Sequence, residues 1–233
     1  MKGFGHNRPL ARDLTVGENV LLSIIQAAGW PIWPLILCSI VTVALVIERF
    51  MSLRRVRVAP PKLLDEVLAV TKSSLPPPEV VSRLSESSLM GRVLATGMRA
   101  VINDARTNEP ALRTAFEAGG RDAMHQMERY LNALGTISTA APLLGLLGTV
   151  VGMIEIFGAQ GGAIGGVANP QQLAQGISIA LYNTAFGLII AIPALMFYKY
   201  FRGVVGEYRL TMEQACERMV PQLLRHTIAR GNG

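Results

Sequence analysis

Charge is scarce in this 233-residue chain: Asp, Glu, Lys and Arg make up 16% of it, against about 25% in soluble globular proteins. Half of the residues are hydrophobic, so the low charge does not signal a disordered chain, which needs high charge and little apolar surface. Cysteine is scarcer still. Cys38 and Cys216 are the only two, too few for a disulfide scaffold and too far apart for a zinc-finger spacing. His6, His125 and His226 lie in separate segments without metal-ligand spacing and read as surface residues. No metal site and no cofactor is implied. A phosphate-binding G-K-[ST] is absent, and the glycine-rich run Gly158–Gly166 lacks the lysine that such a loop needs. Gly176-Ile177-Ser178 begins like a nucleophile elbow, but Ala180 stands where the closing glycine belongs and no strand precedes it. Many enzyme signatures are thus missing. Aromatic residues amount to 6%, too few to interleave the basic ones and stack bases, so nucleic acid is not an expected partner.

What remains is apolar length. Between Arg129 and Lys199 the only formally charged residue is Glu155. A spanning helix needs about 20 mostly apolar residues, and this window holds two: Leu131 to Phe157 and Leu173 to Tyr198. A third span, Trp30 to Ile47, precedes them. Trp30 and Trp33 mark its interface, and Pro31 and Pro34 suit a first helical turn. The fold class expected is all-α, a membrane protein with three transmembrane helices. Two of these are long and extend into the cytoplasm, where a helical segment lies. A helix from Leu131 to Phe157 reaches about 40 Å against a hydrocarbon core of about 30 Å, and is expected to project as one continuous rod.

Basic residues set the orientation. Arg49, Arg54, Arg55, Arg57, Lys62, Arg121, Arg129, Lys199, Arg202 and Arg209 flank the spans on one side, whereas Gly158 to Pro170 contains no Lys or Arg. The N-terminus is then outside and the C-terminus inside. The resulting division is a periplasmic segment 1–29, spans at 30–48, 130–157 and 171–200, a cytoplasmic segment 49–129, a periplasmic loop 158–170 and a cytoplasmic helix 201–233. Thr15-Val16-Gly17-Glu18 has capping-box spacing and opens an amphipathic stretch suited to the membrane boundary. The segment 49–129 is punctuated by Pro60-Pro61 and Pro76-Pro77-Pro78, with helices expected over Leu63–Lys72, Glu79–Glu86 and Leu89–Arg106. Asn108 and Asn169, each just before or near a proline, read as helix starts. Val205, Tyr208, Met212, Ala215, Met219 and Leu223 form a helical stripe in the tail.

Small residues recur at helical spacing inside the last two spans. Pro142, Gly145, Thr149, Gly152 and Ile156 share one face, with Gly148 and Gly152 four apart. Gly176, Ala180, Thr184, Gly187, Ala191 and Ala194 form a comparable face with Asn183 beside it. Such faces let helices approach closely in lipid. A threonine there can bond its own helix carbonyl, or, with a second one opposite, edge a polar pathway. Glu155 reads either as a functional intramembrane acid or as a carboxylate reaching outer water at the end of its span.

The run Ala141-Pro142-Leu143-Leu144-Gly145-Leu146-Leu147-Gly148-Thr149-Val150-Val151-Gly152-Met153 resembles the second-span signature of the MotA/TolQ/ExbB proton-channel family. Gly176 through Ala194, including Thr184, Gly187 and Pro193, resembles its third-span signature. Three spans with a cytoplasmic segment after the first resemble the ExbB/TolQ branch, since the MotA branch has four. The resemblance implies a pentameric ring in the inner membrane of Gram-negative bacteria. The ring would enclose a small ExbD- or TolR-like single-span partner whose membrane aspartate carries the proton, and would drive a TonB-like or TolA-like protein. It implies that Thr149 and Thr184 line the pore; Pro142, Gly145, Gly148, Gly152, Gly187 and Pro193 are assigned to helix packing. Many ExbB and TolQ proteins carry a glutamate five residues before the threonine matching Thr184; here that residue is Ile179, which cannot relay a proton. Either the glutamate is dispensable, or Tyr182, Asn183 and Ser178 supply hydration, or coupling differs. A TolQ-like role in envelope integrity and a non-conducting scaffold are the alternative functions.

Overall fold

The computed structural model describes residues 29–104, 106–161 and 170–231. The amphipathic stretch before residue 29, the cap at Asn169 and most of the glycine-rich loop therefore lie outside the described residues, as does His6. Eight helices are described: α1 (Ile32–Ser52), α2 (Arg55–Val58), α3 (Leu63–Ser73), α4 (Pro78–Ser87), α5 (Leu89–Asn103), α6 (Glu109–Glu128), α7 (Leu131–Gly161) and α8 (Pro170–Gly231). Among the described residues there is no strand. Three helical stretches, Ile32–Ser52, Glu109–Gly158 and Leu173–Ile228, are long and apolar enough to cross a membrane. The chain divides into two compact units, Met1–Val43 with Gly135–Leu195 and Ala44–Leu134 with Met196–Gly233.

Many of the first unit's large apolar residues are on the outside. Leu37, Ile40 and Val43 of α1, Leu143, Leu146, Val150 and Ile154 of α7, and Leu181, Ile189 and Ile192 of α8 are all exposed. Small residues (Ala141, Ala180, Ala191 and Ala194) are buried instead. Lipid tolerates this inversion and water does not. Pro142 lies inside α7, where it has no N–H to give to the Ser138 carbonyl. The helix continues past it to Gly161, beyond the Phe157 end read from composition.

The second unit is built like a soluble protein. Ser88 caps α5 by accepting from the Gly91 amide at 3.0 Å, and Asn108 caps α6 by accepting from the Ala111 amide at 3.0 Å. Helices α5 and α6 bury Met90, Val93, Leu94, Met98, Leu112, Phe116 and Met127. Gly97 sits under the Phe116 ring, leaving no room for a β-carbon. Helix α5 ends at Asn103, short of the expected Arg106. Asp104 Oδ1 accepts from the Arg106 amide at 2.8 Å, and Thr107 Oγ1 donates to the carbonyls of Ala100 and Asp104. These local bonds replace the helical ones and turn the chain.

In the tail of α8, Val205, Met212, Ala215, Met219 and Leu223 are buried, and the Tyr208 hydroxyl donates to the Leu53 carbonyl at 2.9 Å. Burial pushes the Tyr208 phenol up, with the Arg55 charge opposing it. His226 is not a plain surface residue, since its Nε2 lies 2.6 Å from the Thr71 carbonyl oxygen. Span and tail form one uninterrupted helix. Gly203 and Gly206 are weak helix formers but not breakers.

The run Glu109–Gly158 is helical throughout except for a slip at Arg129 and Tyr130. Gly119-Gly120 and Pro142, which lie within it, do not interrupt it. The slip has a distant cause. Arg49 is 2% exposed, and its Nη1 donates to the Met127 carbonyl at 2.7 Å. A continuous helix would give that carbonyl to the Leu131 amide. The guanidinium also pairs with both Glu48 oxygens and lies 5.1 Å from the Tyr130 ring centroid.

Candidate functional site

Helices α7 and α8 of the first unit meet along a seam of glycines. A β-carbon at Gly145 would lie 2.7 Å from the Asn183 carbonyl oxygen and 2.9 Å from Thr184 Cα. At Gly148 it would meet Asn183 Cβ at 2.7 Å, at Gly152 the Ala180 methyl at 3.3 Å, and at Gly187 the Ala141 carbonyl oxygen at 2.6 Å. Gly176 is closed by Ile156. Residue numbers fall on one helix as they rise on the other, so the pair is antiparallel. Contacts of this closeness are open only to residues without a side chain.

The seam fixes what lies to either side. At about 100° per residue, Thr149 and Thr184 each stand about 70° from the seam on their own helices. In an antiparallel pair these two displacements lead to the same flank. Ile137 and Leu144 of α7 and Phe186 and Ile190 of α8 fall on the other flank, where they pack with Leu35 and Cys38 of α1. Helix α1 therefore covers one flank, and the threonines stand on the opposite one.

The two hydroxyls differ. Thr149 Oγ1 donates to the Leu146 carbonyl at 2.7 Å. Thr184 Oγ1 is buried and has no hydrogen-bond partner among the described residues. A buried hydroxyl left unbonded costs about 1–3 kcal/mol, and such groups are rare enough to call for an explanation. Asn183 lies within the seam and is 2% exposed. Ser178 and Tyr182 are exposed on other sides of α8 and do not share the threonine flank. Pro142 is half-buried and Pro193 exposed.

Glu155 is exposed at the end of α7 near its junction with the 162–169 segment. It borders a cavity of about 300 Å³ on the α1 side of the seam, whose walls include Pro31, Gly148, Ile179 and Asn183. Ile179 and Glu155 thus face one space. Arg49 joins Glu48, Met127 and Tyr130 in the second unit, whereas its sequence context assigns it only to the positive flank of the first span. Its adjacency to Glu48 and its place at the end of an apolar run were the only signals.

The family model described as the MotA/TolQ/ExbB proton channel family matches residues 85–214. The chain belongs to this family. An ExbB-like biopolymer transport protein of Synechocystis is 30% identical over 192 residues, covering 81% of this chain and 89% of the relative. The biopolymer transport protein exbB1 of Vibrio cholerae is 33% identical over 172 residues, 73% of this chain and 74% of its own. ExbB of Salmonella typhimurium is 38% identical over 102 residues, covering 43% and 41%. The matched region contains α5, α6, α7 and the spanning part of α8. The glycine seam and both threonines therefore belong to the part that the family shares. As a member, the chain is a multi-pass membrane protein and a transport subunit of the proton-channel class.

Proposed function

We propose that the chain is the ExbB-type subunit of an inner-membrane proton channel. It works as a homopentameric ring around an ExbD/TolR-like single-span partner, and turns proton-motive force into work on a TonB-like protein for uptake across the outer membrane. The spans are 30–48, 130–157 and 171–200. The basic flanks, with the C-terminus, lie in the cytoplasm, and the N-terminus lies in the periplasm. The names of the relatives favour this reading over a TolQ-like one.

The observation that carries it is the buried, unbonded hydroxyl of Thr184 on the flank that α1 leaves open. Turned by one rotamer toward that flank, the hydroxyl would be satisfied by a protonatable carboxyl on a partner helix and would stabilise it, since a charge in hydrocarbon is expensive without polar company. Thr149 flanks the same space, and Asn183 keeps the seam polar at the same depth. In a ring built this way α1 faces lipid and the threonines face the bore.

Thr184→Val removes the hydroxyl at nearly constant volume. With partner bound and ring size unchanged, proton flux into vesicles and energy-dependent uptake in cells are expected to fall at least about tenfold. Thr149→Val should act in the same direction but less, because its hydroxyl is already bonded to its own helix. Wild-type flux in both variants would sink the reading. Co-purification with a TolA-type rather than a TonB-type protein would move the chain to the Tol branch.

A further inference from the structure

The cavity beside Glu155 lies on the flank away from the threonines, so it is no part of the bore proposed above. Its position along α7 follows from helical rise. Glu155 is seven residues beyond Gly148, about 10 Å along the axis, and Gly148 is the glycine against which Asn183 packs. The cavity therefore runs from an exposed carboxylate to a buried amide about 10 Å deeper. Its volume of about 300 Å³ suffices for on the order of ten waters at about 30 Å³ each. Both ends are polar, which is the condition for water to fill such a space rather than leave it dry. Between them the walls are Val151, Ile156, Ile179 and Ala180, apolar surfaces that do not compete for protons.

Glu155 is also the only ionisable side chain with a carboxyl group between Arg129 and Lys199. From Leu131 it is about 36 Å along the helix, past a hydrocarbon core of about 30 Å. The carboxylate thus meets bulk water on one side and the cavity on the other.

We propose that this cavity is a hydrated side entrance through the subunit, with Glu155 as its proton-loading acid. Bulk hydronium gives a proton to a Glu155 carboxylate oxygen; the O–H bond of hydronium breaks as the carboxyl O–H forms. The carboxyl then releases the proton to a cavity water and regenerates the carboxylate, so nothing is consumed and one proton moves inward. The Asn183 amide, which can donate and accept but not titrate, orders the inner end of the water file within the seam, the layer that separates the cavity from the threonine flank. This rests on the proton-channel reading of the threonines.

Two measurements test it. In a Cys38→Ser, Cys216→Ser background, Ile179→Cys should react with a hydrophilic, membrane-impermeant maleimide at a rate within about tenfold of an exposed Gly158→Cys control. No reaction until the protein is unfolded means a dry or lipid-filled space and overturns the proposal. In reconstituted ring plus partner, Glu155→Gln should lower proton flux about tenfold, and Glu155→Asp should keep it. Wild-type flux in Glu155→Gln, alongside loss in Thr184→Val, overturns the side entrance and leaves the bore standing. Wild-type flux in both overturns the channel reading beneath it.

Discussion

Arg49 at the end of α1 and Met127 at the end of α6 are joined by a 2.7 Å hydrogen bond across 78 residues of chain. The guanidinium takes a carbonyl at a helix C-terminus, where the macrodipole favours a cation. With Glu48 on two of its nitrogens and Tyr130 beside it, it holds the slip between α6 and α7 in place.

Arg49→Ala should destabilise the chain by about 2–4 kcal/mol, the cost of a buried carbonyl losing a charged donor together with the lost packing. Arg49→Lys should recover only part of this, because a lysine cannot reproduce the planar fork. The thermal midpoint of the purified protein in detergent checks it. An Arg49→Ala protein that melts with the wild type refutes the assignment.

At the seam, Gly145→Ala places a methyl against backbone atoms of Asn183 and Thr184, which cannot rotate aside. A loss of about 1–3 kcal/mol is expected from such overpacking. Gly203→Ala is the matched control, because a β-carbon there meets nothing within 4 Å. It should gain up to about 1 kcal/mol from helix propensity. The same melting experiment reads both, and equal effects would contradict the close approach.

Cys216 lines a cleft of about 720 Å³ in the second unit with Arg113, Phe116 and Glu217. Burial pushes its thiol up to about 12, and the charges of Glu217 and Glu213 add to the shift. Against an ordinary value of 9.0, the thiolate at pH 8 is about a thousandfold rarer than in the unfolded chain. Iodoacetamide should leave Cys216 unmodified in the folded protein and modify it in denaturant, as read by mass spectrometry. The unfolded chain gives up this proton near 9 and the folded chain near 12. Stability from this group therefore falls as pH rises through that interval, and Cys216→Ser should flatten the alkaline limb.

The sequence carried the spans, the glycine faces and the tail stripe because each is a periodic pattern of residue size or polarity. Gly145, Gly148, Gly152 and Gly187 are conspicuous among leucines and valines, and the structure places all four against the facing helix. What it could not carry depends on a partner remote in the chain or on a rotamer. The slip at Arg129 and Tyr130 has no local breaker, because its cause is Arg49. The early end of α5 is set by side-chain bonds of Asp104 and Thr107. Thr149 and Thr184 look alike in sequence, yet one bonds its own helix and the other bonds nothing described. The sharing of one cavity by Glu155 and Ile179 needs the antiparallel register of two helices.

Asn183 presses its Cβ toward the position where Gly148 has only hydrogen, 2.7 Å from a side chain's first carbon. Position 148 therefore admits no gradual enlargement, since the smallest step already collides. In any lineage that acquires a larger residue there, position 183 must shrink first or at the same time. The two sites should drift as a coupled pair, while their neighbours on the lipid face change freely.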